Sequence, residues 1–245
     1  MRLIVDLTAA APALGLALDE VLFESVRKGG GGATRFWVNE RSVIIGRSQG
    51  IAAEVDLARA RTEGIPVLRR ISGGGAVYHY PGNLNVSVTL GSEAKTGSVR
   101  DVYQRLGCAI RVGLASLSLG VDVSGNRLLI AGRKLGGAAQ ARRSSSVLYH
   151  ATLLVRPADR PIERLLMAHR RDYHACGVAS RPEETMTLAE ALGRSLSTED
   201  AVNAVVTGLA AGFELVPDAV TKAERDRALW LADTKYRSSA WNASR

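Results

Sequence analysis

Residues 69–90 constrain this chain more than any other stretch. They read Arg69-Arg70-Ile71-Ser72-Gly73-Gly74-Gly75-Ala76-Val77-Tyr78-His79, then Tyr80-Pro81-Gly82-Asn83-Leu84-Asn85 and Val86-Ser87-Val88-Thr89-Leu90. An arginine pair precedes a small-residue loop, an apolar strand, a Pro-Gly turn and a second strand. The glycines carry no Cβ, so a bulky ligand can lie against the backbone and φ > 0 is open there. Exposed N–H groups of such a loop can cradle a phosphate, and arginine adds fixed charge in a planar fork. The plain alternative is a flexible glycine linker. Arg-Arg before the loop and Tyr-His after it weigh against that, because a linker needs neither.

The chain has 245 residues, 46% hydrophobic and 23% charged, as an ordinary globular protein has. No window supplies the roughly 18 consecutive apolar residues of a membrane span, so no membrane partner is expected. The N-terminus reads as a strand over 2–6 and lacks a signal-peptide pattern. With only Cys108 and Cys176, a disulfide framework is not expected, which fits a reducing cytoplasm. The net charge of +8 favours acidic partners. Its arginine pairs are dispersed, aromatics are only 5%, and no nucleic-acid-binding signature occurs, so nucleic acid is not the expected partner.

Local patterns predict a helix over 12–28, with Leu14, Leu18, Leu22 and Phe23 near helical spacing and Pro12 in its first turn. Residues 35–38 and 42–47 read as a hairpin around Asn39-Glu40. Residues 54–63 read as a short helix and 97–119 as a long one that buries Cys108 as a small hydrophobe. Strands follow at 121–123, 128–131, 132–140 and 147–155, then a helix over 159–169. Residues 170–187 lack periodicity and are the best candidate for a mobile loop. Helices are predicted at 187–193, 198–213 and 218–233. No repeat or linker is visible, so residues 1–245 read as one domain. Hairpins prevail over a βαβ rhythm, which predicts a mixed, largely antiparallel α/β (α+β) sheet flanked by helices.

A second small-residue stretch is Gly132-Arg133-Lys134-Leu135-Gly136-Gly137-Ala138-Ala139-Gln140. A lysine facing a glycine loop could hold a carboxylate or phosphate oxygen; taken alone, it reads rather as an ordinary solvated lysine. The two basic, glycine-flanked stretches together suggest an anion pocket. It is neither a Walker A loop nor a Rossmann fingerprint. His79, His150, His169 and His174 lack metal spacing, and each of His79 and His150 is either a buried structural histidine or a catalytic one.

These residues resemble the lipoate–protein ligase A family. Arg69-Arg70-x-Ser72-Gly73-Gly74-Gly75-Ala76-Val77-Tyr78-His79 with Gly82-Asn83-Leu84-Asn85 is similar to its signature. Gly132-Arg133-Lys134-x-x-Gly137-x-Ala139-Gln140 resembles its second motif, and His150-x-Thr152-Leu153-Leu154 a third. Leu16 to Glu20, Ile45 to Gln49, Lys235-Tyr236 and Trp241-Asn242 also match, so the resemblance covers nearly the whole chain. It implies the fold shared by biotin and lipoate ligases and class II aminoacyl-tRNA synthetase cores. It implies ATP-dependent activation of lipoate or octanoate to an acyl-adenylate and transfer to a lysine of apo lipoyl domains. The acceptors would be the acyltransferase subunit of 2-oxo-acid dehydrogenases and the glycine cleavage H protein. Lys134 would contact the activated acyl group. Arg70, Ser72, Gly73, Gly74, Gly75, Ala76, Val77, Tyr78, His79, Asn83, Gly137, Ala139, His150 and Thr152 would bind ATP and lipoyl-adenylate, with Val77 and Tyr78 walling an acyl tunnel. Mg²⁺ is expected with ATP, though no motif announces its ligands.

Three departures open alternatives. Tyr80 stands where the family usually has Asp, and His79-x-Pro81-Gly82 resembles the related octanoyltransferases. The accessory domain of many ligases is not visible after Asn242, so that domain is either absent or supplied as a separate accessory subunit. Cys176-Gly177 lies in the irregular stretch, and a transferase using Cys176 with Lys134 would take its acyl group from acyl carrier protein. At the other cysteine position of transferase-like relatives, before Leu128, this chain has Ser124. A non-catalytic lipoyl-adenylate-binding module and a biotin ligase are the remaining readings; the intact Arg70, glycine loop and Lys134 weigh against the first, and the Ser-Gly-Gly-Gly-Ala-Val motif against the second.

Overall fold

Alternation along strand β6 (Asn83–Leu90) sets the layers. Leu84, Val86, Val88 and Leu90 face the main core, while Asn83, Asn85, Ser87 and Thr89 are buried on the opposite face. These polar side chains are hydrogen-bonded there: Ser87 to Asp19, Asn85 to the Trp37 carbonyl and Thr89 to the Ala33 carbonyl. Strand β10 (Ser146–Leu154) pairs antiparallel with β6 and repeats the division. Its Val147, Tyr149, Ala151 and Leu153 join the core, leaving His150 and Thr152 on the polar face. The computed structural model describes residues 1–91, 97–159 and 162–244.

Among the described residues β6 and β10 are central in a sheet ordered β11 (Val216–Asp218), β1 (Arg2–Ala10), β2 (Ala33–Asn39), β6, β10, β9 (Arg133–Arg143), β8 (Arg127–Ile130), β7 (Asp122–Ser124). Pairing is parallel from β11 to β2 and antiparallel from β2 to β7. The expected mixed, largely antiparallel sheet is therefore present.

Helices α4 (Val99–Ala115) and α6 (Thr198–Ala210) cover the apolar face, Leu106, Ile110 and Leu114 meeting Val202, Val205 and Leu209. Burying each leucine contributes about 1.5–3 kcal/mol. The helices touch closely at Gly113 and Gly208, where a Cβ would stand 2.1 Å from the Ala204 carbonyl oxygen and 2.0 Å from that of Ala109. On the polar face α1 (Pro12–Arg27) packs with α7 (Lys222–Leu231) and Tyr236. No helix of the described residues is long and apolar enough to cross a membrane.

A second sheet, β4 (Val67–Arg69), β3 (Ser42–Ile45) and β5 (Val77–His79), carries Arg69 at its edge and delivers Arg70 and the glycine loop. This corrects the hairpin expected for 35–47. Strands β2 and β3 lie in different sheets, and β3 pairs parallel with β4 and antiparallel with β5. Local alternation defines a strand but not its partner.

Other boundaries also moved. The helix expected over 54–63 is two helices, α2 (Ile51–Glu54) and α3 (Leu57–Thr62), because Val55 bridges to Leu166 and Asp56 caps α3. Two 3₁₀ turns, Ile162–Arg164 and Met167–His169, replace the helix over 159–169, whose residues 160 and 161 lie outside the described ones. Strand β11 and an N-cap at Thr221 precede the last long helix, which was expected from 218. The stretch 170–186 has no helix, and its one strand-like contact is an isolated bridge from Thr185 to Lys134. Two short helices, α5 (Leu188–Leu192) and α8 (Ser239–Asn242), and a π-helical turn over Ala232–Tyr236 complete the described elements.

Candidate active site

The two arginines that open the loop do different work. Arg69 is fully buried, and its guanidinium donates to the carbonyls of Gly46, Arg47, Gln49, Trp241 and Asn242. Arg70 turns inward on its own loop: Nη2 donates to the Gly73 and Gly75 carbonyls, Nη1 to Ile44 and Nε to Ser72 Oγ. Gly74 has φ +89°, and a Cβ there would stand 2.9 Å from Arg70 Nη2. Gly46 clears the same loop, since a Cβ on it would lie 2.0 Å from the Gly74 carbonyl oxygen. Arg70 thus shapes the loop from beneath, and burial pushes its guanidinium down to about 10.

Below the loop lies a polar chain. His150 Nε2 is 2.5 Å from Ser72 Oγ, and His150 Nδ1 is 3.6 Å from Asp19 Oδ2. Asp19 also accepts from Arg35 Nη1 at 2.9 Å and from Ser87 Oγ at 2.6 Å. Burial raises the Asp19 carboxyl, but hydrogen bonding to His150 and the charge of Arg35 outweigh it, so the carboxyl is held below its usual range. Arg35 stacks over Trp37 at 4.5 Å, and its Nε and Nη2 have no hydrogen-bond partner among the described residues. Asn39 Nδ2 lies 3.1 Å from His79 Nδ1. Burial, then the charges of Arg70 and His150, push His79 down to about 3, so its imidazole is neutral near pH 7.

Lys134 owes its direction to a β-bulge. Leu128 pairs with Gly136 and Leu129 with Lys134, leaving Leu135 without a counterpart on β8. The extra residue drops Leu135 into the core and puts Lys134 and Gly137 on one face. A Cβ on Gly137 would lie 3.4 Å from Lys134 Cε and 3.8 Å from Nζ, so the lysine stem lies over a bare backbone. Glu183 Oε2 accepts from Lys134 Nζ at 2.7 Å, and Oε1 from Arg127 Nη1 at 2.8 Å.

The irregular stretch is fastened by a buried acid. Glu54 accepts from Tyr173 OH at 2.7 Å and from Ser180 Oγ at 2.5 Å. Ser180 Oγ in turn accepts from the Ala76 N–H and from Gln49 Nε2. The stretch therefore closes over the end of the glycine loop. Cys176 lies on it but is exposed, packed on Gly50 through a backbone hydrogen bond of 2.8 Å.

Together these parts enclose a cavity of about 680 Å³, within the range of small-ligand sites. Leu16, Trp37, Ile44 and Val77 form an apolar wall that continues the core beneath α1. Lys134, Arg127 and Glu183 form a charged wall. Arg70, Gly74, Gly75, Ala76, His79, Ala139, His150 and Thr152 also line it. Among the described residues no group of three or more His, Cys, Asp or Glu is placed to hold a metal, and no cysteine lines the cavity.

The sequence model of the lipoyl protein ligase A/B catalytic domain matches residues 11–210. The chain belongs to that family. Octanoyltransferase LipM from Symbiobacterium thermophilum is 30% identical over 93% of this chain and 92% of its own length. A bipartite lipoate protein ligase from Thermoplasma acidophilum, solved in a study that includes its E2 lipoyl domain, superposes with a TM-score of 0.85 at 28% identity, covering 99% of this chain and 95% of that one. A lipoate-protein ligase A bound with ATP superposes at 0.83 with 28% identity, covering 99% and 98%.

The cavity of this ligase A/B domain does not hold every residue expected in it. Gly137 and Val77 line it, but Tyr78 turns to the other side, buried with Val43 and stacked on Tyr80. Ser72 and Gly73 sit behind the wall as partners of Arg70, and Asn83 bonds Asn85, which lines the cavity in its place. Cys108 is half-buried rather than buried. Asp19 and Gln49 were within matched motifs, though neither carried a role. Arg35, Glu54, Arg127, Ser180 and Glu183 have no local pattern; only their partners across the cavity reveal them.

Proposed function

We propose that the chain is the catalytic subunit of a lipoate–protein ligase. The observation that carries this is Lys134, aimed by the bulge into a cavity with an apolar wall, a charged wall and no cysteine in its lining. The apolar wall fits the hydrocarbon of lipoate or octanoate. At the charged wall Lys134 and Arg127 would hold the acyl carboxylate beside the α-phosphate of ATP and stabilise charge building there. A carboxylate oxygen bonds to the α-phosphorus, the bond to the β-phosphate breaks, and pyrophosphate leaves. The acceptor lysine amine then attacks the acyl carbonyl and AMP leaves. Holding both reactants in line supplies much of the acceleration. Mg²⁺ would enter on the triphosphate, where phosphates and water supply most ligands.

Apo lipoyl domains are the proposed acceptors, in the acyltransferase subunit of 2-oxo-acid dehydrogenases and the glycine cleavage H protein. The excess of 32 Lys and Arg over 24 Asp and Glu suits acidic acceptors. A separate accessory subunit is proposed by similarity to the bipartite Thermoplasma ligase. The LipM relative favours a second reading, transfer from acyl carrier protein without ATP. Against it, Ser124 rather than a cysteine lines the cavity, and Cys176 stays outside it.

The test incubates the chain with an apo lipoyl domain, with and without an accessory subunit. ATP plus lipoate is compared with octanoyl carrier protein lacking ATP, and the acceptor mass is followed. ATP-dependent modification, lost in Lys134→Ala and kept in Cys176→Ser, is expected. ATP-independent transfer abolished by Cys176→Ser overturns the ligase.

A further inference from the structure

Glu183 sits where a ligand anion would sit. Its two carboxylate oxygens are divided between Lys134 Nζ and Arg127 Nη1, at 2.7 and 2.8 Å, and all three side chains line the cavity. Two oxygens of a substrate carboxylate or phosphate could bridge the same cations. A structural ion pair is a poor explanation, since part-exposed pairs add little stability. The segment is also already fastened on both sides of Glu183. Ser180 is tied to Glu54 and the Ala76 N–H, and the Glu184 carbonyl accepts from the Lys134 N–H at 2.8 Å. With the backbone pinned before and after it, the Glu183 side chain can swing while the segment stays.

We propose that Glu183 is a resident counter-ion: it occupies the anion site formed by Lys134 and Arg127, and the anionic group of the substrate displaces it by rotation of its side chain. Arg127 is thereby the second cation of that site. The device keeps both cations beside the apolar wall paired to one carboxylate, with a net charge of about one, until an anion of better fit arrives. It favours anionic ligands over neutral acyl compounds, because a neutral ligand gains nothing from displacing the carboxylate. The nature of the anion, a carboxylate or α-phosphate, rests on the ligase reading; the competition itself does not.

Two measurements on the full chain test this. The first is labelling of Lys134 by an amine-reactive acetylating reagent, read by peptide mass. Glu183→Gln should raise the labelling rate several-fold, and Glu183→Asp should fall between. The second is calorimetric binding of AMP, octanoate and neutral octanamide. Glu183→Gln should bind AMP and octanoate about twofold to fivefold more tightly, the effect of removing one part-exposed competing charge. Octanamide should be unaffected, and Arg127→Ala should weaken AMP. A folded Glu183→Gln variant with unchanged labelling, or with unchanged or weaker AMP binding, overturns the proposal. If labelling rises but neither wild type nor variant binds AMP or octanoate, the ion pair stands and the ligase reading fails with the displacement step.

Discussion

Arg69 and Asn242 are 173 positions apart and joined by two hydrogen bonds, from the Arg69 N–H to Asn242 Oδ1 and from Arg69 Nη2 to the Asn242 carbonyl, each 2.8 Å. Trp241 Nε1 adds a third contact, donating to the Arg69 carbonyl at 2.8 Å. The same guanidinium holds the carbonyls of Gly46, Arg47 and Gln49, and the Gly46 backbone abuts Gly74. The C-terminal helix is therefore a brace for the glycine loop.

Asn242→Ala removes the acceptor of a buried N–H, and the donor keeps its desolvation cost. A loss of about 1–3 kcal/mol is expected. Denaturant titration measures it, and calorimetry with octanoate should show weaker binding, because the loop loses its support. Unchanged stability would separate the tail from the loop.

Neighbouring glycines on β9 should respond in opposite ways. A Cβ at Gly136 would stand 2.1 Å from the Thr152 carbonyl oxygen, so Gly136→Ala should break pairing with β10 and cost several kcal/mol, about the scale of overpacking a core. At Gly137 the nearest atom would be Lys134 Cε at 3.4 Å, an ordinary contact. Gly137→Ala should keep its melting temperature and slow turnover, because the methyl group fills the bare face along which the Lys134 stem lies. Paired thermal melts and acceptor-modification assays decide the matter.

His79 predicts a pH dependence. Its imidazole, ordinarily near 6.5, is pushed down to about 3 by burial and then by Arg70 and His150. The unfolded chain takes up a proton near pH 6.5, and the folded chain does so only near 3. Stability from this group is complete above the unfolded value and falls as pH drops, by about 1.4 kcal/mol per unit. Asp19 and the other depressed carboxyls lose their contribution as pH falls through their ordinary values, 3.8 for aspartate and 4.5 for glutamate, so melts between about pH 5.5 and 6.5 isolate the histidine. In that window His79→Gln should have a flatter profile than wild type, whatever its absolute stability.

Much of the frame was legible because period and punctuation are local. The second strand read after the Pro-Gly turn lies within β6, and Pro12 opens a helix that the structure keeps. The glycine loop and Lys134 were legible as a pair of basic, small-residue motifs. What was not legible depends on partners distant in the chain. Strand β3 pairs with β4 and β5 rather than β2, and no residue type in 35–47 encodes that choice. The bulge at Leu135 decides where Lys134 points, yet in sequence Leu135 is one more apolar residue of a strand. Glu183 and Glu54 look like surface acids until the cations and hydroxyls they serve are placed beside them.

Glu54 carries the last prediction. It is fully buried, and its two oxygens accept the hydroxyls of Tyr173 and Ser180, which hold the irregular stretch against the glycine loop. Glu54→Ala leaves both hydroxyls buried without that acceptor, a loss of about 2–4 kcal/mol for hydrogen bonds to a charged group. The damage should be local, because the core layers on the other face of the sheet do not use this acid. Trypsin reads it directly: Arg170 and Arg171 are exposed on the stretch, and cleavage there requires it to leave the loop. Glu54→Ala should be nicked at these sites well before the remaining chain is digested. Glu54→Gln keeps one acceptor oxygen, and hydroxyls can rotate to share it, so nicking should be intermediate. Saturating AMP and octanoate should slow the cut in wild type by binding beneath the segment, and less so in Glu54→Ala. Equal nicking rates in all three proteins would show that Glu54 does not hold the segment.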